Sequence, residues 1–230
     1  MFRKKISGSK PPNLSWEKFE DRVKRYYRDI EVYDWTDTAD NFRGPESLLH
    51  KYREWFMLAL IRPYLKSHPR ARALDVGCGT GLMLRHLPKG SIGLDINPRN
   101  LARLKKWAPQ AKGVLVDIEA KGIPYPKESF DLAAAAEVLE HLLYPERAVV
   151  EIYRVLKPGG LFAGSVPMRS LFWRLRFLSV TYHSTTEHYE MLEPFHNEMT
   201  TMELRMLLAT KFSKIRLYPA ITNIFFVASK

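Results

Sequence analysis

Nine residues constrain the fold of this chain more than any others: Ala73-Leu-Asp-Val-Gly-Cys-Gly-Thr-Gly81. A short apolar run suited to a strand passes straight into three alternating glycines, and the pattern that follows, Leu82-Met-Leu-Arg-His-Leu87, has helical spacing. Strand, glycine turn and helix in that order open a βαβ unit, and glycine at the bend lets a ligand come close to the backbone. Gly77, Gly79 and Gly81 are therefore candidate ligand contacts. Cys78 lies inside the same bend, where a small side chain is needed. As the only cysteine it has no partner for a disulfide within the chain, and it reads as structural.

The sequence continues in the same style. Ser91 to Leu94, Gly113 to Val116, Phe130 to Ala135 and Leu161 to Val166 read as strands separated by helical patterns, which indicates a parallel sheet. Lys214 to Tyr218 and Asn223 to Ala228 are joined only by a short link around Pro219, which allows only antiparallel pairing, so the sheet is mixed. Before residue 67 the character differs. Trp16, Phe19, Val23, Tyr26, Tyr27 and Ile30 recur at helical spacing behind Ser15, a good N-cap, and a second helical stretch runs from about Pro45 to Ile61. The organisation expected is a helical N-terminal extension over 1–66 and an α/β domain over 67–230, with an insertion at about 168–200.

Three acids recur at one edge of the expected sheet. Asp75 precedes the glycines, Asp95 ends the next strand in Gly93-Leu-Asp-Ile-Asn-Pro98, and Asp117 ends the third in Val114-Leu-Val-Asp-Ile118. Open parallel sheets bind ligands at that edge, and an acid after the second strand is placed to accept hydrogen bonds from ribose hydroxyls. The strictly alternating glycines depart from the dinucleotide fingerprint, and Asp75 beside them favours a cationic ligand over a pyrophosphate.

The run Leu74-Asp-Val-Gly-Cys-Gly-Thr-Gly81, with Gly-Leu-Asp95, Phe130-Asp131, Glu137-Val-Leu-Glu-His141 and Arg154-Val-Leu-Lys-Pro-Gly-Gly160, resembles the Rossmann-like class of S-adenosylmethionine-dependent methyltransferases over about residues 72–167. The resemblance implies a three-layer α/β sandwich around a mostly parallel seven-stranded sheet whose last strand is antiparallel. It implies S-adenosylmethionine as the methyl donor, with Asp75 and the glycine turn near its methionine part and Asp95 on its ribose. Ile96 would stack on the adenine, Asp117 and Ile118 would lie at the adenine edge, and Glu137 would line the cavity beneath the methyl group. Within the class, the part after the fourth strand is most similar to O-methyltransferases of the ubiquinone pathway. Their E-x-x-E-H element, matched here by Glu137, Glu140 and His141, implies a divalent cation such as Mg; the other reading is a metal-free site with His141 as base beside Glu140. Such relatives also use an upstream arginine on the donor carboxylate, for which Arg53 is the candidate.

A hydroxyl acceptor needs a base. His141 is the nearest by motif, with His183, His188 and His196 as further candidates from the segment after the fifth strand. That segment, Pro167 to Thr200, is too long for a plain connection and reads as a lid or substrate-binding insertion. Within it, about 169–180 mixes large apolar side chains with arginines, a pattern of peripheral membrane contact or of an internal lid. Thr200 and Glu203 then form a capping-box pattern ahead of a further helix.

With 230 residues, 46% of them hydrophobic, the chain can bury a sizeable core, and no apolar run is long enough to span a bilayer. The start has no apolar core of a signal peptide, so a cytoplasmic location is expected. The net charge of +11 attracts anionic partners of any kind. The leading expectation is methyl transfer to a small-molecule or lipid-like acceptor, at oxygen. A tRNA or rRNA methyltransferase and a non-catalytic donor-binding regulator stay open, although the basic residues are scattered and no acceptor-base motif stands after the fourth strand.

Overall fold

The structure, a computed structural model, describes residues 10–29, 34–42, 45–168 and 195–230. Three helices come first: α1 (Trp16–Asp29), α2 (Trp35–Asp40) and α3 (Pro45–Ser67). The alternating part then runs β1 (Ala73–Val76), β2 (Ile92–Asp95), α4 (Pro98–Trp107), β3 (Lys112–Leu115), α5 (Ile118–Lys121), β4 (Phe130–Ala136), α6 (Pro145–Val155) and β5 (Leu156–Pro167). The last elements are α7 (Thr201–Ala209), β6 (Lys214–Ala220) and β7 (Asn223–Ser229).

The seven strands form one sheet in the order β3-β2-β1-β4-β5-β7-β6. β1 pairs in parallel with β2 on one side and β4 on the other, through Leu74↔Ile92 and Leu74↔Ala133. β7 runs antiparallel between β5 and β6, so it alone opposes the rest, as the short terminal link requires. Strand order reverses between β1 and β4, and the crevice at the carboxyl ends of these strands is where a ligand has access to the sheet.

Alternation along the strands divides the core into two faces. Leu74, Val76, Leu94, Phe130 and Phe226 pack against Val149 and Ile152 of α6 and Leu204 and Leu207 of α7. On the other face Ala73, Leu132, Ala163 and Phe225 pack against Met57 and Ile61 of α3 and Leu104 of α4, with Phe56 stacked on Phe225 at 4.1 Å. Each such fully buried leucine or phenylalanine contributes about 1.5–3 kcal/mol. A third, smaller cluster of Phe19, Val23, Leu143 and Phe195 fastens α1 to the loops at the carboxyl edge.

Local chemistry explains the ends of the elements. The Ser15 side chain accepts from the Lys18 N–H at the start of α1, and Thr200 and Glu203 form the complete capping box of α7. α3 runs six residues past its expected end and takes in Pro63. Pro63 removes the donor to the Ala59 carbonyl, but Ala59 lies on the exposed side of the helix, where water replaces it. The expected helix over Leu82 to Leu87 is reduced to a 3-10 turn, Leu84–His86. Gly81 at φ 103° and Pro88 bound the segment, leaving too little chain for a longer helix. No described helix is long and apolar enough to cross a membrane.

Candidate donor and acceptor site

The ends of β1, β2, β3 and β4 open into one cavity of about 400 Å³, roofed by α1 and walled by α3. Asp75, Gly77, Cys78, Gly79, Asp95, Ile96, Asp117, Ile118 and Glu137 all line it, as do Arg53, Glu140, His141 and His196. Gly81 stands behind the bend, where a Cβ would meet Leu104 at 2.7 Å; its part is packing between turn and α4.

The bend itself has only one solution. Gly77 adopts φ 65° and a Cβ there would sit 2.4 Å from Val138, so glycine alone fits. Asp95 holds the bend to β2: its carboxylate accepts from the Gly79 N–H at 2.8 Å, the Asn97 N–H at 2.7 Å and the Asn100 amide at 3.3 Å. Burial raises the Asp95 pKa, and these donors pull against it. Asp75 is deeper. Its Oδ2 has no hydrogen-bond partner among the described residues, and burial, then the neighbouring Asp95, push its carboxyl up to about 8. Two buried acids at one glycine bend suit a cation and repel a pyrophosphate.

Past β3, Asp117 caps α5 by accepting from the Glu119 and Ala120 N–H groups, and its other oxygen pairs with Lys24 of α1 at 3.2 Å. Thr36 and Thr80 share a hydrogen bond of 2.9 Å, and the Trp107 indole donates to Asp34 at 2.7 Å. These contacts tie the N-terminal helices to the glycine bend and to α4, which extends the cavity beyond what the strands alone provide.

Glu137 lies in the left-handed region at φ 56°, a conformation that costs a non-glycine residue on the order of 1–3 kcal/mol. Side-chain bonds fix it there. Ser165 donates to Oε1 at 2.6 Å, and the Asn223 amide donates to Oε1 and Oε2 at 2.9 and 2.8 Å. Arg53 donates to the Asn223 Oδ1 at 3.2 Å and stands 3.6 Å from Glu137 Oε2. Arg53 thus lines the cavity with its guanidinium beside Glu137. One turn earlier His50 also lines the cavity, and burial and then Arg53 hold its imidazole neutral, with a pKa of about 3.

At the far end Glu140 is fully buried, and neither carboxylate oxygen has a hydrogen-bond partner among the described residues. Burial pushes its pKa well up, with His141 pulling it back and Glu137 adding to the rise. His141 Nε2 stands 3.8 Å from Glu140 Oε1, and the His141 and His196 rings are 5.1 Å apart. One ligand atom each of Glu140, His141 and His196 lie within 4.8 Å of one another. Among the described residues the fold brings His196, rather than the expected Glu137, beside Glu140 and His141, while Asn223 and Ser165 hold the Glu137 carboxylate. Two imidazoles and one carboxylate suit an ion such as Zn or Mn better than Mg, which favours an all-oxygen octahedron.

Of the other histidine candidates, His183 and His188 lie outside the described residues, as does the 169–180 segment. Tyr27, Ser165 and Asn223 are site residues that no sequence motif announces. Tyr27 does lie on the apolar face of its helix, but a core position reads the same way.

Comparison with known proteins bears on this geometry. Residues 74–164 match the methyltransferase-domain family model. That stretch of the chain is similar to the methyltransferase domain, and it carries the glycine bend and the acids at the sheet edge. The chain is 32% identical over 142 residues to 2-methyl-6-phytyl-1,4-hydroquinone methyltransferase of Arabidopsis thaliana, covering 60% of this chain and 42% of that protein. It is 34% identical over 161 residues to cycloartenol-C-24-methyltransferase of the same plant, covering 63% and 46%. The chain thus spans less than half the length of these curated relatives. Among solved structures, magnesium protoporphyrin IX methyltransferase of Synechocystis PCC 6803 shares the fold at a TM-score of 0.59 and 14% identity, over 92% of this chain and 94% of that one. The particular similarity to ubiquinone-pathway enzymes gives way to these hydroquinone and sterol methyltransferases. The E-x-x-E-H spacing on which it rested is five residues long, too short to single out one subfamily.

Proposed function

We propose that this methyltransferase uses S-adenosylmethionine to methylate an apolar small molecule bearing an ionisable hydroxyl of the phenol or hydroquinone kind. The layout of the cavity carries the reading: Asp75 and Asp95 give one end two buried carboxyls that ionise to meet a cation, apolar side chains such as Val23, Met57, Leu142 and Pro167 form walls, and a histidine stands at the other end. The hydroquinone and sterol acceptors named for two relatives are of the same apolar class.

When bound, the sulfonium donor supplies an activated methyl group, whose C–S bond breaks with its electrons going to sulfur as the acceptor bond forms. The residues of the chain hold, exclude water and move one proton. Asp75 would face the donor's positive charge and Asp95 its ribose, Ile96 would stack on the adenine, and Asp117 and Ile118 would lie at the adenine edge. Arg53 serves the donor carboxylate. His141 takes the acceptor's hydroxyl proton at Nε2, leaving an oxyanion that attacks the methyl group. Transfer at oxygen is the leading outcome. The phenolate is also nucleophilic at ring carbon, and the name cycloartenol-C-24-methyltransferase keeps that outcome in view. Where a divalent ion takes part, Glu140, His141 and His196 would hold it, and it would lower the pKa of a bound hydroxyl.

The test is transfer of labelled methyl from the donor to a panel of prenylated hydroquinones, sterols and bulk RNA, with and without chelator. Label on a hydroquinone, located on oxygen or carbon by product NMR, supports the reading. Label on RNA alone overturns it, and rates indifferent to chelator remove the metal.

A further inference from the structure

The geometry points to Tyr27 as a positioning residue that sets the tautomer of His141. Its hydroxyl donates to the Phe195 carbonyl oxygen at 2.7 Å and stands 3.0 Å from His141 Nδ1. A phenol has one proton, and a carbonyl oxygen can only accept. The proton is therefore committed to Phe195, and the Tyr27 oxygen meets His141 as an acceptor. Nδ1 must carry the imidazole proton, and Nε2 presents its lone pair on the side of Glu140 and His196.

The Tyr27 ring backs this orientation, with its centroid 5.0 Å from that of His141. The anchor is itself anchored: α1 is held by the Phe19, Val23, Leu143 and Phe195 cluster, and the Tyr27 carbonyl accepts from the Asn97 amide at 3.2 Å. The N-terminal helix therefore does more than roof the cavity. It supplies a hydroxyl that a base in the methyltransferase domain depends on, so the base is poised only when α1 is docked. This inference rests on the proposed function for its catalytic meaning, but the tautomer is measurable without any acceptor.

The experiment is long-range proton–nitrogen correlation NMR of the full chain labelled at the imidazole nitrogens. It is recorded over a series of pH values, with His141→Gln used only to assign the resonances. The expected spectrum shows His141 with a protonated Nδ1 and a bare Nε2. In Tyr27→Phe the ring stays and the acceptor is gone, so the population shifts to the Nε2–H form that imidazole favours in water. A wild-type spectrum with Nε2 protonated overturns the proposal without recourse to any variant, and so does an unchanged pattern in Tyr27→Phe. In the transfer assay, Tyr27→Phe should lower kcat at least tenfold with KM for the donor unchanged. Should no acceptor be methylated while the wild-type spectrum shows the Nδ1–H form, the positioning stands and the proposed function falls.

Discussion

Asn223 donates its side-chain amide to both carboxylate oxygens of Glu137, at 2.9 and 2.8 Å, although 86 positions separate the two in the chain. One residue thereby holds a strained carboxylate in place and, through its Oδ1, meets the guanidinium of Arg53 as well. Asn223→Ala strands a partly buried charge and should cost about 1–3 kcal/mol of unfolding free energy. Urea denaturation measures it, and wild-type stability would show that the contact is unimportant.

Asp75 predicts a pH dependence of stability. Its carboxyl sits at about 8 in the fold, raised by burial and then by Asp95, against 3.8 for an ordinary aspartate. The folded state therefore holds a proton that the unfolded chain has released. The contribution is full below about pH 4 and is lost as pH rises toward 8. Asp75→Asn should flatten that decline in thermal melts taken across the range; a decline as steep as wild type would point to other groups.

A cationic donor arriving beside Asp75 favours the ionised form, so donor binding near pH 7 should expel protons. Calorimetry in two buffers with different ionisation heats should give different apparent enthalpies for S-adenosylmethionine. Equal enthalpies would mean that Asp75 is already ionised or does not sense the ligand.

Asp95→Ala should weaken donor affinity by about 1–3 kcal/mol, through lost hydrogen bonds to a charged acceptor and a Gly79 N–H left without its partner. Equilibrium binding of the donor checks this, and an unchanged affinity contradicts the ribose contact.

Gly77→Ala faces two obstacles that can be separated. The Cβ meets Val138 at 2.4 Å, and the backbone stands at φ 65°. A loss of about 1–3 kcal/mol is expected from overpacking, with the backbone cost in addition. Val138→Ala in the same chain should return only the packing part. Full recovery of the melting temperature would mean that the backbone conformation carries no cost.

What the sequence discloses is what chemistry places locally. Asp75 and Asp95 lie at the carboxyl ends of β1 and β2, and Asp117 and Glu137 follow β3 and β4, so reading the strands correctly also puts four acids on one edge. The antiparallel end was legible because the link at Pro219 is too short to cross the sheet. The extent of α3 and the shrunken helix after Gly81 were not, since a proline on a water-facing turn is tolerated and a short segment is governed by its neighbours. Ser165, Asn223 and Tyr27 were hidden for a different reason. Each owes its role to a partner far along the chain, brought near only when β7 enters beside β5 or α1 docks on Leu143 and Phe195. The same holds for the exchange of Glu137 for His196 beside Glu140 and His141.

The place of β7 has a consequence for biogenesis. It is the last described strand to be synthesised, yet it is inserted between β5 and β6 rather than added at a rim, and it carries the amide that Glu137 requires. A nascent chain still short of Asn223 has the crevice at the ends of β1 and β4 but lacks the clamp behind it. Competence should therefore switch on late and abruptly, once β7 is free to insert, and premature stop codons even a few residues upstream of Asn223 should yield no partially active product.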